Sequence, residues 1–305
     1  MPESIPETAN STLTSGNLHR SLSPRTLFNE VMTALAFLCG ALALIPLLAV
    51  LSYVAIQGFS SLNFSVFTEL PPPPMSQGGG FGNAIAGTLI MVGIAAAIAV
   101  PVGVLAAIYL TEFSDPHTVR WIRFATNVLS GVPSIIAGVF AYGIVVLTFV
   151  GLKWGSYSPI AGGVALAVLM LPIIVRTTDE SLQLVPSEMR QAAVGLGATK
   201  FQTVWGVVLP AALPAIVTGT TLAVARASGE TAPLIFTALF SPFWPQIWPP
   251  QQFIAPTASL AVLVYNFAIV PFKNQQQLAW AASLILVLMV LLTSIISRWA
   301  IRQRS

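Results

Sequence analysis

The chain has 305 residues, of which 55% are hydrophobic and 8% charged, with a formal net charge of +3. A soluble domain of this length cannot hide so much apolar surface, whereas lipid accepts it, so an ordinary globular enzyme is excluded. The small positive surplus does not suit a nucleic-acid binder, and one cysteine, Cys39, leaves no disulfide framework and no thiolate metal cluster.

Residues 1–27 are rich in Ser, Thr, Pro and Asn without apolar periodicity and read as a disordered cytoplasmic tail. The apolar run over 28–57 is too long for a signal-peptide core and predicts a retained first span. Arg20 and Arg25 ahead of it put the N-terminus in the cytoplasm. Residues 58–82 hold no Lys or Arg and read as an external loop, stiffened by Pro71 to Pro74 and followed by Gly78, Gly79 and Gly80. Asn83 reads as a helix N-cap. The glycines before it either expose backbone N–H groups to an anion at a mouth or simply turn the chain into the membrane.

Residues 83–301 read as an all-α polytopic membrane domain. Further spans are predicted at Asn83–Leu110, Val128–Gly151, Pro159–Thr178, Ala211–Leu239 and Leu278–Ile301. With the first, they make six spans with both termini cytoplasmic. Interior Pro101, Pro133 and Pro172 each free a carbonyl that other helices or a wet cavity must satisfy. Arg120, Arg123, Arg190, Lys200, Arg298, Arg302 and Arg304 join Arg20 and Arg25 on the cytoplasmic side, against Lys153 and Lys273 outside. The long outer segment Phe240–Gln277 opens with prolines alternating with tryptophans, which suit a membrane surface. Within it, Ala258–Val270 is apolar but too short to cross, predicting a packed or re-entrant helix.

The polar island over 186–210 reads as two short amphipathic helices joined by a glycine turn. Met189, Ala192, Ala193 and Leu196 share one helical face, as do Phe201, Val204, Trp205 and Val208. Gly195 and Gly197 allow left-handed backbone at the turn, Thr199 with Gln202 makes a capping box, and Leu209-Pro210 closes the unit. Small residues at Ala192 and Ala193 let another protein approach closely, so the unit suits a knob that docks into a partner and transmits a push.

Charges at membrane depth are costly and face protein or water. Arg226 and Glu230, at i and i+4, share a face and can pair. Gly219, Ala223, Pro233 and Thr237 extend that face into a stripe suited to a pore wall. Arg176 lies near the inner end of its span. Two readings stand: structural ion pairing and snorkelling, or a path in which Arg226 and Arg176 attract an anion while Glu230 tempers the affinity. His19 and His117 lack carboxylates at metal-ligand spacing and read as surface histidines. No lysine precedes Ser or Thr, so there is no nucleotide phosphate loop. A non-catalytic chain that binds no cofactor of its own is expected.

The island resembles the coupling motif of ABC-importer permeases, standing here as Gln191-Ala192-Ala193, Gly197, Val207 and Leu209-Pro210, with Gln and Val in place of the motif's Glu and Ile. The run Ala223 to Leu234, Pro172 to Thr178, the loop from Glu69 to Gly80 and Gln277 to Ala281 resemble the PstA permease family of phosphate ABC importers. The resemblance implies the type I ABC importer permease fold. It also implies a PstC-like second permease, two cytoplasmic ATPase subunits that bind ATP and Mg, and an external phosphate-binding protein. Arg190, Gln191, Ala192, Ala193, Gly195, Gly197, Leu209 and Pro210 would couple to the ATPases, in a bacterial inner membrane. A permease for another oxyanion, such as phosphonate or molybdate, and a standalone anion carrier are the alternatives.

Overall fold

The computed structural model describes residues 24–152, 157–245 and 255–302, all helices and connections, with no strand among them. The expected tail up to residue 23 and the second half of the Trp-Pro stretch lie outside the described residues. The chain divides into two compact units, Met1–Ser52 and Tyr53–Ser305. In the first, the described residues belong to α1 (Pro24–Ser60), a helix with Pro46 inside it and the free, exposed Cys39.

The second unit takes the last turns of α1, from Tyr53, and then the short α2 (Ser65–Thr68). Helix α3 (Gly82–Ile108) follows and ends in a π-helical turn, Tyr109–Phe113. Phe81, not Asn83, precedes its first residue. Asn83 lies inside the helix, and its Nδ2 donates to the carbonyls of Ser241 and Phe243. The amides of Gly80 and Phe81 donate to Leu70 and Val66 carbonyls, so this corner is an internal seam rather than a ring of free donors.

Helix α4 (Pro116–Ser130) is a separate element, started by the Asp115 side chain, which accepts from the His117 and Thr118 amides. The third span therefore begins only after Pro133, as α5 (Ser134–Ala141), a π turn Tyr142–Val146, and α6 (Leu147–Gly151). Pro133 lacks the N–H a continuous helix would need. His117 accepts from Trp121 Nε1 at 3.4 Å on the exposed side of α4.

Helix α7 (Pro159–Gln183) is the centre of the unit. Its row Gly162, Leu166, Met170, Ile174, Thr178, Leu182 is buried throughout. So is the row Gly87, Met91, Ala95, Ala99, Gly103, Ala107 on α3. Rows repeating every four residues interdigitate, and small side chains bring the backbones close. The two helices run parallel, with a Cβ at Gly162 meeting Met91 and one at Gly103 meeting Ile174.

Next come α8 (Ser187–Gly195) and α9 (Lys200–Thr203), then a π turn Val204–Val208 and α10 (Leu209–Ser228). From Lys200 these form one continuous helix, so Leu209-Pro210 does not end the island; the π turn, closed by the Leu209 amide on Val204 O, falls directly before Pro210. The predicted fifth span is interrupted at Gly229 and resumes as α11 (Ala232–Thr237). The short apolar segment forms α12 (Leu260–Ile269), capped by Ser259 and packed on the start of α13 (Lys273–Arg302) through Leu260, Leu263 and Phe267. Among the described residues, six helical stretches are long and apolar enough to cross a membrane.

Candidate functional site

Helix α7 continues two turns past Arg176, and its exposed face there carries Arg176, Glu180 and Gln183. Arg176 Nε donates to Glu180 Oε1 at 2.9 Å, with both side chains about 60% exposed. Arg226 lies on the last turn of α10, and its Nε is 3.6 Å from Glu230 Oε1 across the Gly229 break. That distance is an ion pair, not a hydrogen bond. The five N–H donors of Arg226 are therefore largely uncommitted within the described residues. Its side chain is 59% exposed and that of Glu230 16%. Both arginines carry their carboxylate at i+4, and lipid would not tolerate either pair on its exposed face.

The α7 and α10 helices run antiparallel, with Gly219 against Thr177. Arg226 is seven residues beyond Gly219 and Arg176 one residue from Thr177 on the same side, so the two lie about 9 Å apart in depth at ~1.5 Å per residue. Gly219, Ala223, Pro233 and Thr237 are all buried, which overturns the predicted pore-wall stripe. They pack against α7 and α5, a Cβ at Gly138 falling 2.6 Å from Pro233. The small residues serve helix contact, and the break at Gly229 ends the shared face.

Two open cavities meet at Glu180. One, of about 260 Å³, is lined by Arg123, Arg176, Asn127 and Gln183 among others; the second, of about 430 Å³, is lined by Thr177, Ser181, Thr221, Ser294, Ser297 and Arg298 among others. Their walls offer donors of the kind an oxyanion needs: the Arg176 and Arg298 guanidinium groups together with amide and hydroxyl groups, whereas Arg123 is committed to Asp179.

At the turn between α8 and α9, Gly197 alone takes left-handed backbone, at φ +86°; Gly195 stays helical, correcting the expectation for it. Thr199 and Gln202 form the predicted capping box. The unit divides by face. Ala193, Val204 and Val208 are buried, whereas Met189, Gln191, Ala192, Val194, Phe201 and Trp205 are exposed and Leu196 is 90% exposed. Arg190 turns inward. Its Nη1 donates to Val185 O at 2.6 Å, and its Nη2 to Leu182 O at 2.7 Å and Glu112 Oε1 at 3.0 Å.

Sequence reasoning missed Asp179. Its carboxylate accepts from Arg123 Nε and Nη2 at 2.8 and 2.9 Å, from the Thr111 hydroxyl at 2.8 Å and from Gln183 Nε2 at 2.9 Å. Its partners Thr111 and Arg123 lie 68 and 56 residues away, so local spacing carries no signal for it. Among the described residues no cluster of His, Cys, Asp and Glu could hold a metal ion.

Residues 99–304 match the model of the family described as binding-protein-dependent transport system inner membrane component. The phosphate transport system permease protein PstA of Yersinia pestis is 38% identical over 271 residues, 88% of each chain. The chain belongs to the PstA family. The protein of the same name from Xylella fastidiosa strain Temecula1 is 40% identical over 243 residues, 79% of this chain and 81% of its own. PstA 1 of Mycobacterium tuberculosis strain H37Rv is 35% identical over 269 residues, 87% of this chain and 85% of its own. A subunit of a bacterial alginate ABC transporter, solved with its alginate-bound periplasmic protein, superposes with a TM-score of 0.61 at 14% identity, over 88% of this chain and 93% of that one. An inward-facing methionine transporter, MetNI, gives 0.53 at 23% identity, over 73% and 93%. These two likenesses show the fold, that of type I ABC importer permeases. The chain is a multi-pass inner membrane protein of that fold.

Proposed function

We propose that this chain is a permease subunit of an ATP-driven phosphate importer. Relatives at 35–40% identity over most of the chain are phosphate permeases by name, which supports the substrate. The observation that carries the role is the Arg226–Glu230 pair, its guanidinium more than half exposed on an otherwise apolar span and its carboxylate largely buried. Arg226 would bind phosphate oxygens through charge-assisted hydrogen bonds, and Glu230, already at ion-pair distance, would compete for the guanidinium and let the anion leave. Arg176–Glu180 would repeat the device about 9 Å nearer the cytoplasm.

A PstC-like second permease would supply the facing wall of the path, an external phosphate-binding protein would deliver the substrate, and two ATPase subunits would hydrolyse Mg-ATP. Gln191, Ala192, Leu196 and Phe201 would meet the ATPase groove, with Gly197 fixing the angle between the two helices and Arg190 seating the unit on the spans. Both termini would be cytoplasmic.

The test is Arg226→Gln in the reconstituted complex. The complex should assemble and phosphate uptake should be lost. Uptake at the wild-type rate would return Arg226 to a structural role, and stronger competition by molybdate or a phosphonate than by phosphate would reassign the substrate.

A further inference from the structure

The π turn Tyr109–Phe113 at the end of α3 is gripped from both sides by charged groups. On one side Glu112 accepts from Arg190 of α8, and Lys200 of α9 places its Nζ 5.4 Å from the centre of the Phe113 ring. Both helices of the exposed knob are thus tied to the same five residues. On the other side, the neighbouring Thr111 reaches Asp179 of α7, and Asp179 holds Arg123 of α4 in a two-pronged pair. Arg190 also binds the carbonyls of Leu182 and Val185, closing the end of α7 against the base of α8.

We infer that this chain of bonds, Arg190–Glu112, Thr111–Asp179–Arg123, is the positioning relay that converts movement of the α8–α9 knob into movement of α3, α7 and α4. The inference rests on the reading of that knob as the ATPase-docking element. Three observations carry it.

The carboxylates are desolvated: the Glu112 and Asp179 side chains are 10% and 9% exposed. In such surroundings a hydrogen-bonded pair is short, directional and costly to break, so the elements it joins move together. The contrast with Arg176–Glu180, solvated on both sides, is direct.

The bonds also form one connected path. Thr111 and Glu112 are adjacent on the backbone, so a pull on Glu112 through Arg190 reaches Asp179 through one peptide unit. The path joins four elements through bonds between residues 56 to 78 apart in sequence.

Finally, a π turn supplies the joint. It carries an extra residue in the turn, and such turns are rare in regular helices and concentrate at functional sites. The Ser114 amide closes the turn on Tyr109 O.

The experiment uses the full complex of this chain, the second permease and the ATPases in proteoliposomes, with the phosphate-binding protein outside. It measures phosphate imported per ATP hydrolysed, together with ATPase co-purification. The variants are Glu112→Gln, which removes the charge facing Arg190, and Thr111→Val, which keeps the shape and removes only the hydroxyl. Both should retain the ATPase and lower phosphate moved per ATP by at least about fivefold, as the loss of coupling between two sites does. The double variant should fall little further than either single one, because the two residues act in one path. An unchanged ratio in both single variants, with only the yield of complex reduced, would make the network purely structural and overturn the relay. ATPase missing from the wild-type complex would overturn the docking reading beneath it. Thr111→Val keeps the question decidable if Glu112→Gln fails to assemble.

Discussion

Gly219→Ala should pull apart the two helices that carry both exposed arginines. A Cβ at residue 219 would lie 2.3 Å from Thr177 Oγ1 and 2.5 Å from Thr177 Cβ, whereas ordinary contact begins near 3.4 Å. Thr177 is held on α7 by its own hydrogen bond to Ile173 O at 2.9 Å, and its Cβ is fixed by the backbone, so a rotamer change cannot relieve the overlap. The α7–α10 seam must open by about 1 Å, an overpacking cost of roughly 1–3 kcal/mol. That is about a 5- to 150-fold shift away from the native pairing. Thermal unfolding of the purified complex and phosphate uptake are the assays. Gly219→Ala should lower the unfolding midpoint and reduce uptake per complex. Gly93→Ala, on α3 with open space at the Cβ position, should do neither. Thr177→Gly combined with Gly219→Ala removes the colliding atoms, and because glycine inside a helix costs about 1 kcal/mol, it should recover part of the loss. A stable, fully active Gly219→Ala, or a double variant no better than the single one, would refute the packing argument.

Adjacent alanines in α8 should separate docking from folding. Ala192→Glu puts charge on an exposed surface and should leave insertion intact while abolishing ATPase pull-down; Ala193→Glu buries an unpaired carboxylate and should lower the yield of the chain itself. Equal effects of the two on yield would contradict the faces assigned to this helix. The start of α4 should be acid-sensitive. The amides of Thr118 and His117 hold the Asp115 carboxyl below its usual range. The contribution of this cap to stability is therefore present above the ordinary carboxylate pKa and lost as pH falls through the depressed value. Amide exchange at residues 117–119, corrected for intrinsic rates, should speed up as pH drops below about 4, and Asp115→Asn should remove that dependence while keeping a good cap.

The helices long enough to cross a membrane were legible because apolar length is a one-dimensional signal. Their interruptions were not. Val128 to Ser130 are as apolar as the span that follows, so hydropathy runs straight through Gly131 and Pro133. Only in the structure does α4 stand apart, organised by Asp115 at its start and by Arg123 reaching α7. The fifth span shows the same failure. Helical spacing predicts the Arg226–Glu230 pair, which stands at 3.6 Å, but not the break at Gly229 that ends the helix between them. The π turns were not legible either, because hydropathy averaged over a span does not register one extra residue in a turn such as Tyr142–Val146.

The ionic pairs divide along the same line, and the division matches what each kind of pair can do. Arg176–Glu180 and Arg226–Glu230 were readable from i, i+4 spacing, and in both the arginine is more than half exposed. A local pair needs no tertiary structure to form, so it can sit on a wet surface and open for a passing anion at little cost. Arg190–Glu112 and Arg123–Asp179 are invisible to spacing because the fold brings them together from distant segments. Opening one of these leaves a desolvated carboxylate without its partner, a penalty of several kcal/mol. Such a pair cannot serve as an exchange site for substrate, but it can hold four elements in register while a force is applied. The exposed pairs therefore suit a path for the anion and the buried ones suit transmission, and the two sets can be tested separately because no residue belongs to both.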